Sequence, residues 1–239
     1  MNEYPHLGNA PIREALVDFR VRLPADFSRE DLRDLADSLQ REFPKVGPIH
    51  QFQGQIEFGD EGPVAIQKDP QLLGYRLESA TGLDVAQIRI DGFTFSRLAP
   101  YESWDRMVED AWVVWERYVQ GLRPLGIERI ATRFINRIAL PPSGQLTEVF
   151  RVPPGVSDGR MEAFLFRYQL APMEGVTAIV SLATDDGSDA SVILDIDCFV
   201  RKSFSTDSES LRLQLPKVRD AKNRIFFHAL TSHAIERFK

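Results

Sequence analysis

Two long stretches with a helical period, each reached through a series of segments that alternate apolar and polar residues, leave few folds open to this chain. Tyr101–Arg123 carries Trp104, Val108, Ala111, Trp112, Trp115, Tyr118, Val119 and Leu122 on one stripe, with Glu102, Arg106, Glu109, Asp110, Glu116 and Arg117 on the reverse side. The second stretch begins at Ser208, with Val218, Ile225, Phe226, Leu230, Ala234 and Phe238 at apolar positions and Pro216 opening or kinking it. A helix with one apolar stripe must bury it against another layer. All three tryptophans lie on the first stripe, where they read as core, because aromatic rings dominate core burial.

The alternating segments supply the other layer. Ala15, Val17, Phe19, Val21 and Leu23 point one way and Asp18, Arg20 and Arg22 the other, which predicts a half-buried strand. Ser28 then caps a helix bearing Leu32, Leu35, Ala36, Leu39 and Phe43, closed by Pro44. Extended stretches follow near Ile49–Phe58, Tyr75–Ser79 and Val85–Leu98, the last either a single strand or a hairpin. Past the tryptophan helix come the strand Ile127–Leu140, a short helix at Gln145–Phe150 and the loop Pro153-Pro154-Gly155. A hairpin of Ala163–Ala171 and Val176–Thr184, a turn at Asp185–Asp189 and the strand Val192–Arg201 complete the series. That acidic turn lacks the spacing and closing glutamate of a calcium loop, so its Asp-Gly is read as turn chemistry.

The order strand, helix, strands, long helix thus occurs twice. Ile90-Asp91-Gly92-Phe93 echoes Ile196-Asp197-Cys198-Phe199, and Leu23-Pro24 echoes Leu140-Pro141. The expected architecture is α+β: a large curved, mostly antiparallel sheet with the long helices packed on one face, built from a duplicated unit. Residues 1–125 form one half and 126–239 the other, fused into one globular domain.

Composition narrows the function classes. The 239 residues are 43% hydrophobic and 27% charged, an ordinary globular balance, and a lone cysteine, Cys198, forms no internal bridge. A net charge of -6 opposes binding to a phosphate backbone, which makes nucleic acid an unfavoured partner. Cations are 23 arginines and 6 lysines, which fits either GC-rich coding or a use for bidentate contacts. Met1–Asn9 shows no basic segment leading into an apolar run, and no stretch is apolar enough to cross a membrane; a cytoplasmic location is expected.

One surface stands out. Read as a continuous strand, Val85–Leu98 puts Arg89, Asp91, Phe93, Phe95 and Arg97 on one face, and its counterpart puts Ile193, Asp195, Asp197, Phe199 and Arg201 on the same side. Arg129, Arg133 and Arg137 share a face of their own strand. Phenylalanines alternating with charges on the face away from the helices predict a contact surface, with Arg89, Arg97 and Arg133 available to an acidic group. Its candidate residues are Arg89, Asp91, Phe93, Phe95, Arg97, Arg133, Asp195, Asp197 and Phe199. The partner would be an unidentified protein or small molecule, and a homodimer is one form such a protein can take.

Catalytic patterns are sparse. His228 and His233 lie too far apart around a helix to share a metal, and no phosphate loop, dinucleotide glycine pattern, nucleophile elbow or zinc spacing occurs, so no cofactor or metal is expected. The competing expectation is a hydrolase or metal-assisted enzyme built on Asp91, Asp195 and Asp197 in a sheet concavity.

Several segments also carry a resemblance: Tyr4-Pro5 with Pro11-Ile12-Arg13-Glu14-Ala15, the run from Phe95 ending in Tyr101-Glu102-Ser103-Trp104, Ile127–Asn136, and Lys222-Asn223-Arg224-Ile225-Phe226. Together they resemble a bacterial protein family of unknown function known for its sporadic distribution across genomes. The resemblance spans nearly the whole chain, with Glu128–Asn136 its most distinctive piece. It implies a prokaryotic origin and no catalytic residue.

Overall fold

Alternation in Ile12–Arg22 (β1) buries Ala15, Val17, Phe19 and Val21 on one side of a sheet and turns Leu16, Asp18 and Arg20 to the other. The computed structural model describes residues 4–51, 54–59, 62–67, 70–152, 163–185, 187 and 190–239. Three predicted features thus lie wholly or partly outside the described residues: the loop Pro153-Pro154-Gly155, the Phe52-Gln53 part of the first extended stretch, and Asp186, Ser188 and Asp189 of the acidic turn.

Arg29–Ser38 (α1) starts at the predicted cap: Ser28 Oγ accepts from the Glu30 amide at 3.1 Å, and the Asp31 carboxylate accepts from the Ser28 amide at 3.0 Å. The chain continues through Lys45–Gln51 (β2), Gly54–Gly59 (β3), Gly62–Gln67 (β4), Gln71–Glu78 (β5), Asp84–Arg89 (β6) and Gly92–Leu98 (β7) to the tryptophan helix Trp104–Leu122 (α2). Gly126–Ala139 (β8), a 3-10 turn at Leu146–Glu148, Leu165–Met173 (β9), Val176–Thr184 (β10), Ser191–Phe204 (β11), Ser208–Ala229 (α3) and Ser232–Glu236 (α4) follow. β3 and β4 pair with each other. The other strands form one nine-stranded antiparallel sheet in the order β2-β5-β6-β7-β1-β8-β11-β10-β9. The fold is therefore α+β with a large antiparallel sheet, and no described helix is long and apolar enough to cross a membrane.

Val85–Leu98 is a hairpin, and this corrects the predicted face. Ile90-Asp91 forms the turn, so Arg89 pairs with Gly92 and Ile88 with Phe93. A turn of two residues reverses the parity that a continuous strand would have, and every side chain beyond it changes sides. Phe93 and Phe95 consequently face α2, 0% and 1% exposed, with the Phe93 ring centroid 5.6 Å from Trp115 and 5.8 Å from Tyr118. Gly92 makes the β7–β1 contact possible, because a Cβ there would stand 2.3 Å from the Phe19 carbonyl oxygen.

The tryptophans are core as predicted. Phe19 lies 6.0 Å from Trp112 and 4.9 Å from Trp115, and Phe134 on β8 stacks on Trp104 at 6.3 Å. In β11, Val192, Leu194, Ile196 and Cys198 are buried, with α3 packed along β8 and β11. The second helical stretch is broken at Leu230, which places His228 on α3 and His233 on α4. β9 and β10 join through Glu174 and Gly175, both at positive φ (52° and 80°), as a tight hairpin turn demands.

Candidate functional site

Opposite Phe19, Phe93 and Phe134, the other face of the sheet carries a lattice of arginines and aspartates. Register assembles it: Asp18 on β1, Ala131 on β8 and Phe199 on β11 form one row across the sheet, and Arg20, Arg129 and Arg201 the neighbouring row. Asp18 is the hub. Its Oδ2 accepts from Arg89 Nη2 at 3.1 Å and Thr94 Oγ1 at 2.8 Å, and its Oδ1 from Arg129 Nη1 at 2.7 Å. Arg129 Nη2 also donates to both Asp197 oxygens, at 2.8 and 2.7 Å. Arg133 clasps Asp195 side-on, with Nε at 2.8 Å and Nη2 at 2.6 Å. Asp91 in the hairpin turn accepts from Arg89 Nε at 3.1 Å and pairs with Arg20.

Burial and charge act against each other here. Desolvation raises the Asp197 carboxyl above its ordinary value against the pull of Arg129 and Arg133. Hydrogen bonding to Asp195 is the foremost cause that raises the Arg133 guanidinium. Phe199 lies on the predicted side but is 5% exposed, because two guanidiniums cover its ring: Arg129 at 4.6 Å and Arg201 at 5.0 Å from the centroid. The surface offers cations where the sequence suggested rings. Among the described residues Arg201 faces no carboxylate.

These side chains line a depression of ≈ 590 Å³ to which five arginines (Arg20, Arg89, Arg129, Arg133 and Arg201) and two aspartates (Asp18 and Asp197) contribute. Of the predicted site residues, Arg89, Asp91, Arg133, Asp195, Asp197 and Phe199 come together on this face. Phe93, Phe95 and Arg97 do not, and they are corrected together: the hairpin turns all three to the α2 side, where Arg97 is buried between Asp84 and Asp110. Asp18, Arg20, Arg129 and Arg201 belong to the site and were absent from the candidate list. Their signal was the polar half of each alternating strand, which acquires meaning only once β1, β8 and β11 are known to be neighbours.

A largely apolar groove between β9–β10 and α3 is bordered by Phe166, Tyr168, Leu182 and Ile225. No group of three or more His, Cys, Asp or Glu side chains placed to hold a metal ion occurs among the described residues. No protein-family profile matches the chain, and no curated protein matches it.

Proposed function

We propose that this chain is a binding protein that uses the arginine-lined depression of its sheet to take the acidic group of a protein or small-molecule partner. One observation carries the reading: of the five arginines that line a single depression, four are met by Asp18, Asp91, Asp195 and Asp197, and Arg201 is left without a carboxylate among the described residues, on a protein whose net charge is -6. An uncompensated cation at the edge of such a lattice, on a molecule of opposite net charge, is the group that an incoming anion meets. Arg201 is the exposed cation of the set whose sole partner among the described residues is a ring, and Arg20 and Arg133 keep about four-tenths of their side chains in solvent. Each of Asp91, Asp195 and Asp197 is engaged by an arginine, so the reading of these carboxylates as an acid–base or metal pair draws no support.

Duplication belongs to this reading. Outward from the central β1–β8 pair the sheet runs β7, β6, β5 on one side and β11, β10, β9 on the other, and a long helix follows both β7 and β11. This order supports two related halves meeting at Gly126, with the long helices in one layer and the opposite face free for binding. The four-residue echo does not add to it, since Asp91 lies in a turn and Asp197 within a strand. A cytoplasmic setting and membership of the sporadically distributed bacterial family complete the reading, the latter on the Glu128–Asn136 run.

Fluorescence anisotropy with a labelled octaglutamate peptide at low salt tests it. Wild-type protein is expected to bind, and the double variant Arg133→Glu/Arg201→Glu to bind about tenfold or more weakly. Absence of binding, or equal binding by the folded variant, overturns the proposal.

A further inference from the structure

Lys222, on α3, is 8% exposed, and among the described residues it has no hydrogen-bond or carboxylate partner; its ammonium lies 3.8 Å from the centroid of the Phe134 ring. A buried ammonium without a counter-charge is costly and uncommon. It lines a cavity of ≈ 290 Å³ between the N-terminal segment, the start of α2, β8 and α3. Arg219, one turn earlier on α3, lines the same cavity with its guanidinium 5.4 Å from the Trp104 ring and no carboxylate partner among the described residues. Two cations thus share one half-open pocket that Glu102 and Asp105 also line, and each cation lies over a ring face. Glu102 is engaged with Arg106, and neither it nor Asp105 pairs with Lys222 or Arg219.

Rings make up much of the rest of the wall, Tyr101, Trp104, Phe134 and Phe226, with Tyr4 stacked on Phe227 at 4.8 Å, beside polar groups that include Ser103, Asn136 and Asn223. A volume of ≈ 290 Å³ stands at the lower end of small-molecule sites, too small for a folded partner. We infer that this cavity is a second binding site, distinct from the arginine-lined sheet face, and that it takes a small organic anion, a carboxylate or phosphate monoester on an aromatic or apolar body. The anion would lie against Lys222 and Arg219 and the body among the rings. Such a ligand supplies the missing counter-charge and fills the apolar part of the cavity, which a bare inorganic ion leaves open.

Charge on Lys222 is sensitive to its surroundings: burial, reinforced by Arg219, pushes it down to about 7. The other titratable groups around it are Cys198 on β11, Tyr101, Glu102 and Asp105 near the start of α2, and His6; β8 contributes the uncharged Asn136.

The test compares phenylacetate, phenyl phosphate and neutral phenylacetamide by thermal shift and calorimetry on wild type, Lys222→Met and Arg219→Gln. At least one anion is expected to stabilise and bind wild type while the amide does neither. Affinity should fall about tenfold or more between about pH 6 and about pH 9, and binding should be lost in Lys222→Met and weakened in Arg219→Gln. A response to phenylacetate alone assigns a carboxylate, and one to phenyl phosphate alone a phosphate monoester. Equal binding of the amide, undiminished anion binding by folded Lys222→Met, or no response to either anion overturns the inference. The double variant Arg133→Glu/Arg201→Glu should bind the anion normally, which keeps this outcome separate from that of the sheet face.

Discussion

Asp18 and Lys222 are both buried charges, and they meet opposite circumstances. Asp18 accepts hydrogen bonds from two arginines and a threonine hydroxyl, and Arg20 Nε stands 3.4 Å from its Oδ1, so its charge is compensated on every side. Breaking such a set by removing one partner strands the rest, at a cost of about 3–5 kcal/mol. Among the described residues Lys222 has a ring for a partner and no carboxylate, and its stability linkage follows from that. The folded protein holds the Lys222 proton with an affinity near pH 7, whereas the unfolded chain holds it near the ordinary 10.5. The unfolded state therefore binds more protons between these values, and stability rises with pH across that window. Lys222→Met is expected to be more stable than wild type by a margin that is greatest below about pH 7 and narrows towards about pH 10. Urea midpoints of both proteins in phosphate-free buffers measure it, and a margin independent of pH would show that the ammonium is not desolvated. Lys222 left a trace in the sequence, as a cation between Val218 and Ile225 on the apolar stripe of its helix. Helical spacing predicts that such a residue is buried; it does not predict that no acid comes to meet it.

Among the elements, those with strict periodicity were legible. β1, α2, β8, the β9–β10 hairpin and β11 all lie within a few residues of where alternation or helical spacing places them, because local pattern and tertiary burial agree there. Over Val85–Leu98 the pattern left strand and hairpin both open, and the reason is physical: Asp91-Gly92 is a turn signal, but Ile90 continues the apolar alternation through the reversal. Phe93 and Phe95 were misassigned by that single turn. α2 carries a device of its own at its end, where Arg123 holds the left-handed conformation at φ 49° and its amide bonds the Val119 carbonyl at 2.9 Å. A side chain in this region is strained, and the ion pair of Arg123 with Asp26 is at 4.0 Å and largely exposed. Arg123→Gly should stabilise the protein by about 1 kcal/mol, read as an upward shift of the thermal midpoint. A fall in the midpoint would mean that glycine's extra freedom in the unfolded chain outweighs the relief of strain.

For the whole molecule, the β1–β8 pairing joins both halves into one sheet, and Phe134 on β8 packs against Trp104 of the first half and Lys222 of the second. Two probes happen to sit in different halves. All three tryptophans are on α2, while Cys198 is 0% exposed on β11 with its thiol pushed up to about 12 by burial. Tryptophan fluorescence and thiol labelling of Cys198 should therefore report coincident urea midpoints, as one cooperative unit requires. Separate midpoints would make the halves independent domains. By itself the sequence determined the α+β class, the faces of β1, β8 and β11 and the burial of the tryptophans, because each depends on periodicity within one segment. Tertiary structure alone chose the hairpin over the single strand for β6 and β7, assembled Asp18, Arg129 and Arg201 on one face, and left Lys222 over a ring without a carboxylate among the described residues. Each of these depends on which distant strands and helices become neighbours, and a charge's partners are set by that adjacency, which local spacing does not encode.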